Sequence, residues 1–291
     1  MSFPNLILPI VAERPDQAAG AERDSNRLTY WEYIRLDDLL ALARPQTGLR
    51  DERVFIMFHQ MAEMILALII NELEQLTAPT PAPVPEWKTR LTRIVSICGL
   101  FIHNINALGR SIDREQFLHF REALSPASGF QSFQYRKMEL LSARLGHLAR
   151  SEQGGRLPEG TAMDILFERL YWRHAIPVSR PASERTSLID FEARYLQELR
   201  IIAMELEHRN LAAGFAALAH EHRTDENLMG LMREFDRMVN EGWREVHLRL
   251  ALTLLDGNGA PRPSTGGTDW KAYLRETHRV TFFPELSEPG D

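Results

Sequence analysis

The chain has 291 residues, of which 44% are hydrophobic and 25% charged, with a net charge of −6. That length buries a substantial core in one large domain or two small ones. The acidic balance argues against a generic nucleic-acid or anionic-membrane binder, and the single cysteine, Cys98, excludes an intramolecular disulfide and a Cys-rich zinc site.

The N-terminus "MSFPNLILPIVAERPD" has no basic region, and its apolar run is too short for a signal or a membrane span, so the expected location is cytoplasmic. Asp51 to Glu74 then reads as a long helix, because Val54, Phe55, Phe58, Met61, Ile65, Leu68 and Ile69 recur at three- and four-residue steps. Proline-rich "TAPTPAPVPEW" cannot continue it and predicts a stiff connection. Further helices are expected over Trp87–Leu108, Arg114–Leu124, Gly129–Arg150 and Thr161–His174. Another runs to about Asn210. A last long one is capped by Thr224 or Asp225 and stopped by Gly257 and Gly259. No strand pattern and no repeat is evident, so the fold class is all-α: a single domain over residues 1–291, built as a bundle of long antiparallel helices. The tail "RVTFFPELSEPGD" is loop-like and has to dock on the bundle.

Helical bundles hold a short menu of cofactors. A di-iron centre needs two Glu-x-x-His pairs, and the chain has one, Glu205 with His208. "HEH" at His220–His222 reads as a solvated turn, since side chains two residues apart diverge on a helix. Cys98, in apolar "RIVSICGLFI", reads as an inert buried thiol. Haem needs an apolar slot between helices and, in many proteins, one histidine. Two histidines qualify. His59 has Phe55 one turn before it and Glu63 one turn after; His247 has Trp243 before it and Ala251 after. Taken alone, each is more often a satisfied core histidine than a ligand, and periodicity does not change that.

Longer blocks do. "FREALSPASGFQSFQYR" (Phe120–Arg136) closely resembles the signature of the tryptophan 2,3-dioxygenases, in which an S/G-P-x-S-G-F-Q-S turn joins two helices at a haem. "LTYWEYIRLDDLLALARP", "DERVFIMFHQMAEMILALIINELE", "WREVHLRLALTLL", "STGGT" and "VTFFPEL" are similar to further blocks of that family in the same order, from Leu28 to Leu286. The resemblance implies an all-helical homotetramer with haem b between helices and O2 as co-substrate. The first 35 residues or so would pack on a neighbouring subunit.

The resemblance also implies roles. His247 would be the iron's protein ligand, with Trp243, Ser128 and Gly129 beside the haem. His59 would meet the indole N–H, and Arg121 would bind the amino-acid carboxylate through its guanidinium fork. Thr265 would help hold the zwitterion, Phe55 and Phe117 would wall the indole, and Tyr30 and Tyr33 would reach a neighbouring site. Without the resemblance, Ser128 reads as a helix N-cap, Arg121 as a solvated helix-end residue, and the two phenylalanines as core. The implied activity is oxygen insertion at the indole C2–C3 bond of L-tryptophan or a substituted tryptophan.

The family's R-G-T-G-G-S-S-G loop reads "APRPSTGGTDW" here, stiffened by Pro261 and Pro263 and carrying Asp269 and Trp270. That departure suggests an alternative in which one oxygen atom is inserted, giving a 2-oxindole or hydroxylated product. A haem-dependent tyrosine hydroxylase is a further alternative, against which His59 and the indole-sized site count.

Overall fold

The computed structural model describes residues 28–125, 127–151, 154–176, 185–256 and 280–286. The described residues are helical, with no sheet among them; two segments meet in an isolated antiparallel bridge, Ala149 with Leu170. The chain divides into two compact units, Met1–Pro45 and Gln46–Asp291.

In the first unit, α1 (Tyr30–Tyr33) and α2 (Leu36–Ala41) are short. Thr29 and Glu32 form a capping box, in which the Thr29 backbone N–H donates to the Glu32 carboxylate at 2.8 Å. Arg35, at φ 52°, turns the chain between the two helices. Leu28, Tyr30 and Tyr33 are exposed.

The second unit is built on two long helices, α3 (Arg50–Leu76) and α4 (Val84–Ser111), which share the most extensive contact in the molecule. Glu52 fastens the start of α3: it is fully buried and accepts the backbone N–H groups of Gln46 and Thr47, each at 2.7 Å. Prolines end the connection as expected, with Pro83 capping α4 and Pro85 inside its first turn. Then come α5 (Arg114–Leu124), a 3-10 turn (Gly129–Gln131), α6 (Phe133–Ser142), α7 (Leu145–Leu148) and α8 (Met163–Glu168). After them lie α9 (Thr186–Leu206), α10 (Leu211–Ala216) and α11 (His220–Arg223).

The last stretch is continuous: α12 (Glu226–Arg237), a π turn (Met238–Gly242), α13 (Trp243–Ala251) and a second π turn (Leu252–Asp256). Asp225 caps it, its side chain accepting from the Asn227 and Leu228 amides. Its expected stop at Gly257 and Gly259 lies outside the described residues.

Two expectations are corrected. The helix expected over Gly129–Arg150 is broken into a 3-10 turn, α6 and α7, because Ser132 rather than an earlier residue caps α6 and because the backbone turns extended at Ala143. The helix expected over Thr161–His174 breaks at Arg169, where the chain passes into the bridge with Ala149 and a 3-10 turn, Tyr171–His174.

The main core gathers Ile69 and Leu73 of α3, Leu91 and Ile94 of α4, Met138 of α6, Leu199 of α9 and Phe235 of α12. The tail joins it, with Val280, Phe282 and Phe283 buried. A second, smaller core holds Leu108, Ile112, Phe117, Phe120, Ala251, Leu254 and Leu255, with Phe55 packed against it. Trp243 packs on both cores and marks the seam between them. The helices approach closely at that seam: a Cβ on Gly242 would lie 3.0 Å from a terminal methyl of Ile102 of α4, and one on Gly109 would lie 3.1 Å from a methyl of Leu250, so either side chain would have to shift to admit it.

Candidate active site

Several of the expected residues lie on the elements that flank the seam. On α3, Phe55 and His59 are one turn apart, and their rings lie 4.0 Å centre to centre. Phe117 of α5 packs at 5.9 Å from Phe55, and fully buried Phe120 lies 5.5 Å from both. Arg121 follows Phe117 by one turn on the same face and is half-buried. From the other side, α13 contributes Trp243 and His247, with ring centres 5.0 Å apart. Trp243 is itself held by a parallel stack on Phe101 of α4 (6.0 Å) and by Tyr135 of α6 (5.0 Å).

The two histidines are set up differently. His59 Nδ1 lies 2.8 Å from the Phe55 carbonyl. A carbonyl can only accept, so Nδ1 carries the proton, and in the neutral ring Nε2 is left as an acceptor. Burial lowers the pKa of His59, opposed by that carbonyl bond, and so favours the neutral form. His247 is pushed down to about 4, first by burial and then by the charge His59 would carry. His247 Nδ1 is buried and has no hydrogen-bond partner among the described residues; neither has Trp243 Nε1.

The turn expected beside the site is stitched together. Ser128 N–H donates to Gln131 Oε1 at 3.1 Å, and the Ser128 carbonyl accepts the Gln131 N–H at 2.9 Å. The Gln131 amide also donates to the Ser187 carbonyl of α9. Ser132 bonds to Glu63 of α3, whose carboxyl burial shifts upward in pKa. Ser128 therefore belongs to the turn, and the capping role falls to Ser132, whose hydroxyl accepts the Tyr135 N–H. Gly129 faces open space: an added Cβ would meet no atom within 4 Å.

Thr265 and the loop around it lie outside the described residues. Tyr30 and Tyr33 are in the N-terminal unit. Residues absent from the sequence reading are Phe120, Phe101, Tyr135, Gln131 and Asn104, whose amide donates to the Phe58 carbonyl at 3.0 Å and ties α4 to α3 beside His59. Phe120 was within reach of the pattern, three residues after Phe117 on one helix. The others depend on which helices meet.

The residues fit haem. A histidine whose pKa is lowered keeps a ring lone pair available for iron, and phenylalanine and tryptophan faces suit a flat apolar ring. Among the described residues no group of three or more His, Cys, Asp or Glu is placed to hold a metal ion. Haem iron, by contrast, asks the protein for one donor on a face. Cys98 is buried, and burial and Glu234 push its thiol up to about 12, so it stays protonated.

Comparison with known proteins points the same way. A family model described as tryptophan 2,3-dioxygenase matches residues 15–153. The chain is 30% identical over 273 residues to a tryptophan 2,3-dioxygenase of Caulobacter vibrioides, covering 89% of this chain and 96% of the relative. It is 26% identical to one of Shewanella woodyi, covering 91% and 90%. It is 28% identical to one of Xanthomonas euvesicatoria, covering 96% and 92%.

Proposed function

The chain belongs to the tryptophan 2,3-dioxygenase family, and from that premise we propose that it oxidises the indole ring of L-tryptophan or a substituted tryptophan with O2. The family is haem-dependent and uses O2, which makes the chain a haem-dependent oxidoreductase. The observation that carries the residue-level reading is that the ring partners of two histidines, Phe55 beside His59 on α3 and Trp243 beside His247 on α13, pack on one small core. When bound, haem iron supplies the activation of O2.

The chain's own residues supply the rest. His247 would hold the iron, on a helix braced by Phe101 and Tyr135 through Trp243. His59 would accept the indole N–H at Nε2, because the Phe55 carbonyl occupies the proton of Nδ1. Phe55 and Phe117 would confine the indole plane. Arg121 would take the carboxylate as a charge-assisted pair, and Ser128 and Gly129 would border the haem edge. Thr265 would contribute from its loop to binding the zwitterion. Tyr30 and Tyr33 would reach a neighbouring copy; their exposure, with that of Leu28, supports burial against another subunit.

Self-association is part of the reading. Met57, Met61, Met64 and Leu68 leave an exposed apolar stripe along α3, at spacings of four, three and four residues. By length and composition alone α3 and α4 could cross a membrane. We favour a second copy as the cover of the stripe, in a cytoplasmic homotetramer. Light scattering of the purified chain would return one chain mass if that is wrong.

The one-oxygen alternative rested on Pro261, Pro263, Asp269 and Trp270, which lie outside the described residues. Every relative named above is a tryptophan 2,3-dioxygenase, so neither that alternative nor the tyrosine hydroxylase gains support. The test is a Soret titration with L-tryptophan and L-tyrosine, followed by mass spectrometry under labelled O2. A Soret shift with tryptophan and a product heavier by two labelled oxygens are expected. Response to tyrosine alone, or a single labelled oxygen, would replace this reading.

A further inference from the structure

One backbone unit distant in sequence from the active site is held by side chains at both of its polar groups. The Phe282 N–H donates to Asp236 Oδ2 at 3.0 Å, and the Phe283 N–H donates to the same oxygen at 3.1 Å. The Phe282 carbonyl accepts from His147 Nδ1 at 2.8 Å. Both phenylalanine rings also pack on Phe235, with centres 5.8 and 6.4 Å away.

The other oxygen of Asp236 faces a different element. Its Oδ1 accepts the Asn240 side-chain amide at 2.6 Å. Asp236 is buried, and no cation is paired with it among the described residues. It takes three neutral donors. A carboxylate can accept all three with no hydrogen of its own in the way, which an amide cannot do.

Asn240 sits in the π turn Met238–Gly242, directly before α13. An extra residue in one helical turn rotates everything after it by about 100°. The position of that π turn therefore decides which way α13 presents Trp243 and His247. Little in local propensity holds a π turn at one place in a long helix. The Asp236–Asn240 bond reaches from the last turn of α12 into the π turn, and the tail is docked on the same carboxylate.

We propose that Asp236 and Asn240 are positioning residues for the iron ligand: the C-terminal segment 280–286 and the π turn share one buried carboxylate, so tail docking sets the direction of His247. This rests on the haem reading above.

The test measures haem affinity, by titration into apoprotein, and the iron–imidazole stretching band of the ferrous protein, in full-length variants. Asn240→Ala cuts the link to the π turn and leaves both tail bonds. It is expected to shift that band and weaken haem binding by about tenfold or more, while the protein still folds with a lowered melting temperature. Asp236→Asn should shift the band further. An unmoved band and unchanged haem affinity in Asn240→Ala would overturn the assignment. So would loss of the fold in both variants, which would make the pair a matter of general stability. His247→Ala run alongside separates the two ideas. If it keeps the band, the ligand reading falls. If it loses the band while Asn240→Ala keeps it unmoved, the positioning role alone falls.

Discussion

The two halves of the candidate active site are held by different means. The α3–α5 half is local. His59 bonds to a carbonyl one turn back on its own helix, and Phe117 and Phe120 are three residues apart on another. The α12–α13 half is not. His247 is bracketed by two π turns, the glycine just before α13 has little room for a side chain beside Ile102, and the helix before it is bonded to backbone 46 and 47 residues away. A regular helix aims its side chains by spacing alone. An interrupted one needs contacts from elsewhere to say where they point.

Breaking the comparison starts with His247. His247→Ala is expected to purify with almost no Soret absorbance, whereas His59→Ala keeps its haem and loses turnover. The reverse result would exchange the two halves' roles. Next in size is Phe120→Ala. Its side chain is fully buried among Phe55 and Phe117, so unfolding stability should fall by about 3–5 kcal/mol. Arg121→Leu should leave haem content and melting temperature nearly unchanged and weaken tryptophan binding by about 2–5 kcal/mol. Indole-3-propionate, which keeps the carboxylate, should suffer similarly, and equal affinity in both proteins would remove Arg121 from the site.

The smallest effect concerns the tail. Burial lowers the pKa of His147 below the usual 6.5, against the Phe282 carbonyl bond and Glu285, while Arg156 and Arg144 push the same way as burial. Below 6.5 the unfolded chain takes up the proton more readily than the folded one. Stability from this group is therefore complete above about pH 6.5 and is lost as pH falls through the depressed folded value. His147→Gln should flatten the apoprotein's stability profile in that window, measured by denaturant melts at stepped pH. An unaltered slope would mean that His147 does not titrate with unfolding.

Much of the α3–α5 half was legible in the residue order. The expected helix over Arg114–Leu124 matches α5 residue for residue, because Asp113 caps its start and accepts the Gln116 amide. Asp51–Glu74 and Trp87–Leu108 fall inside α3 and α4, because prolines punctuate the chain between them. The expected docking of the tail is seen at Val280–Leu286. The π turns at Met238–Gly242 and Leu252–Asp256 left no mark in the pattern. Apolar residues there still recur at helical spacing, and one extra residue per turn is invisible to a periodicity read over a short window.

By itself, then, the amino-acid order determined the all-helical class, the limits of the long helices and the residue types of an aromatic site with two histidines. It could do so because helix spacing, proline, caps and apolar faces act over a few residues. Tertiary structure decided which faces meet: that Trp243 lies at the seam of two cores, that Gln131 pins the Ser128 turn to α9, and that Asp236 joins the tail to the turn before His247. Those bonds are made between residues tens of positions apart, and a buried carboxylate or amide finds its partners only after the helices have packed around it.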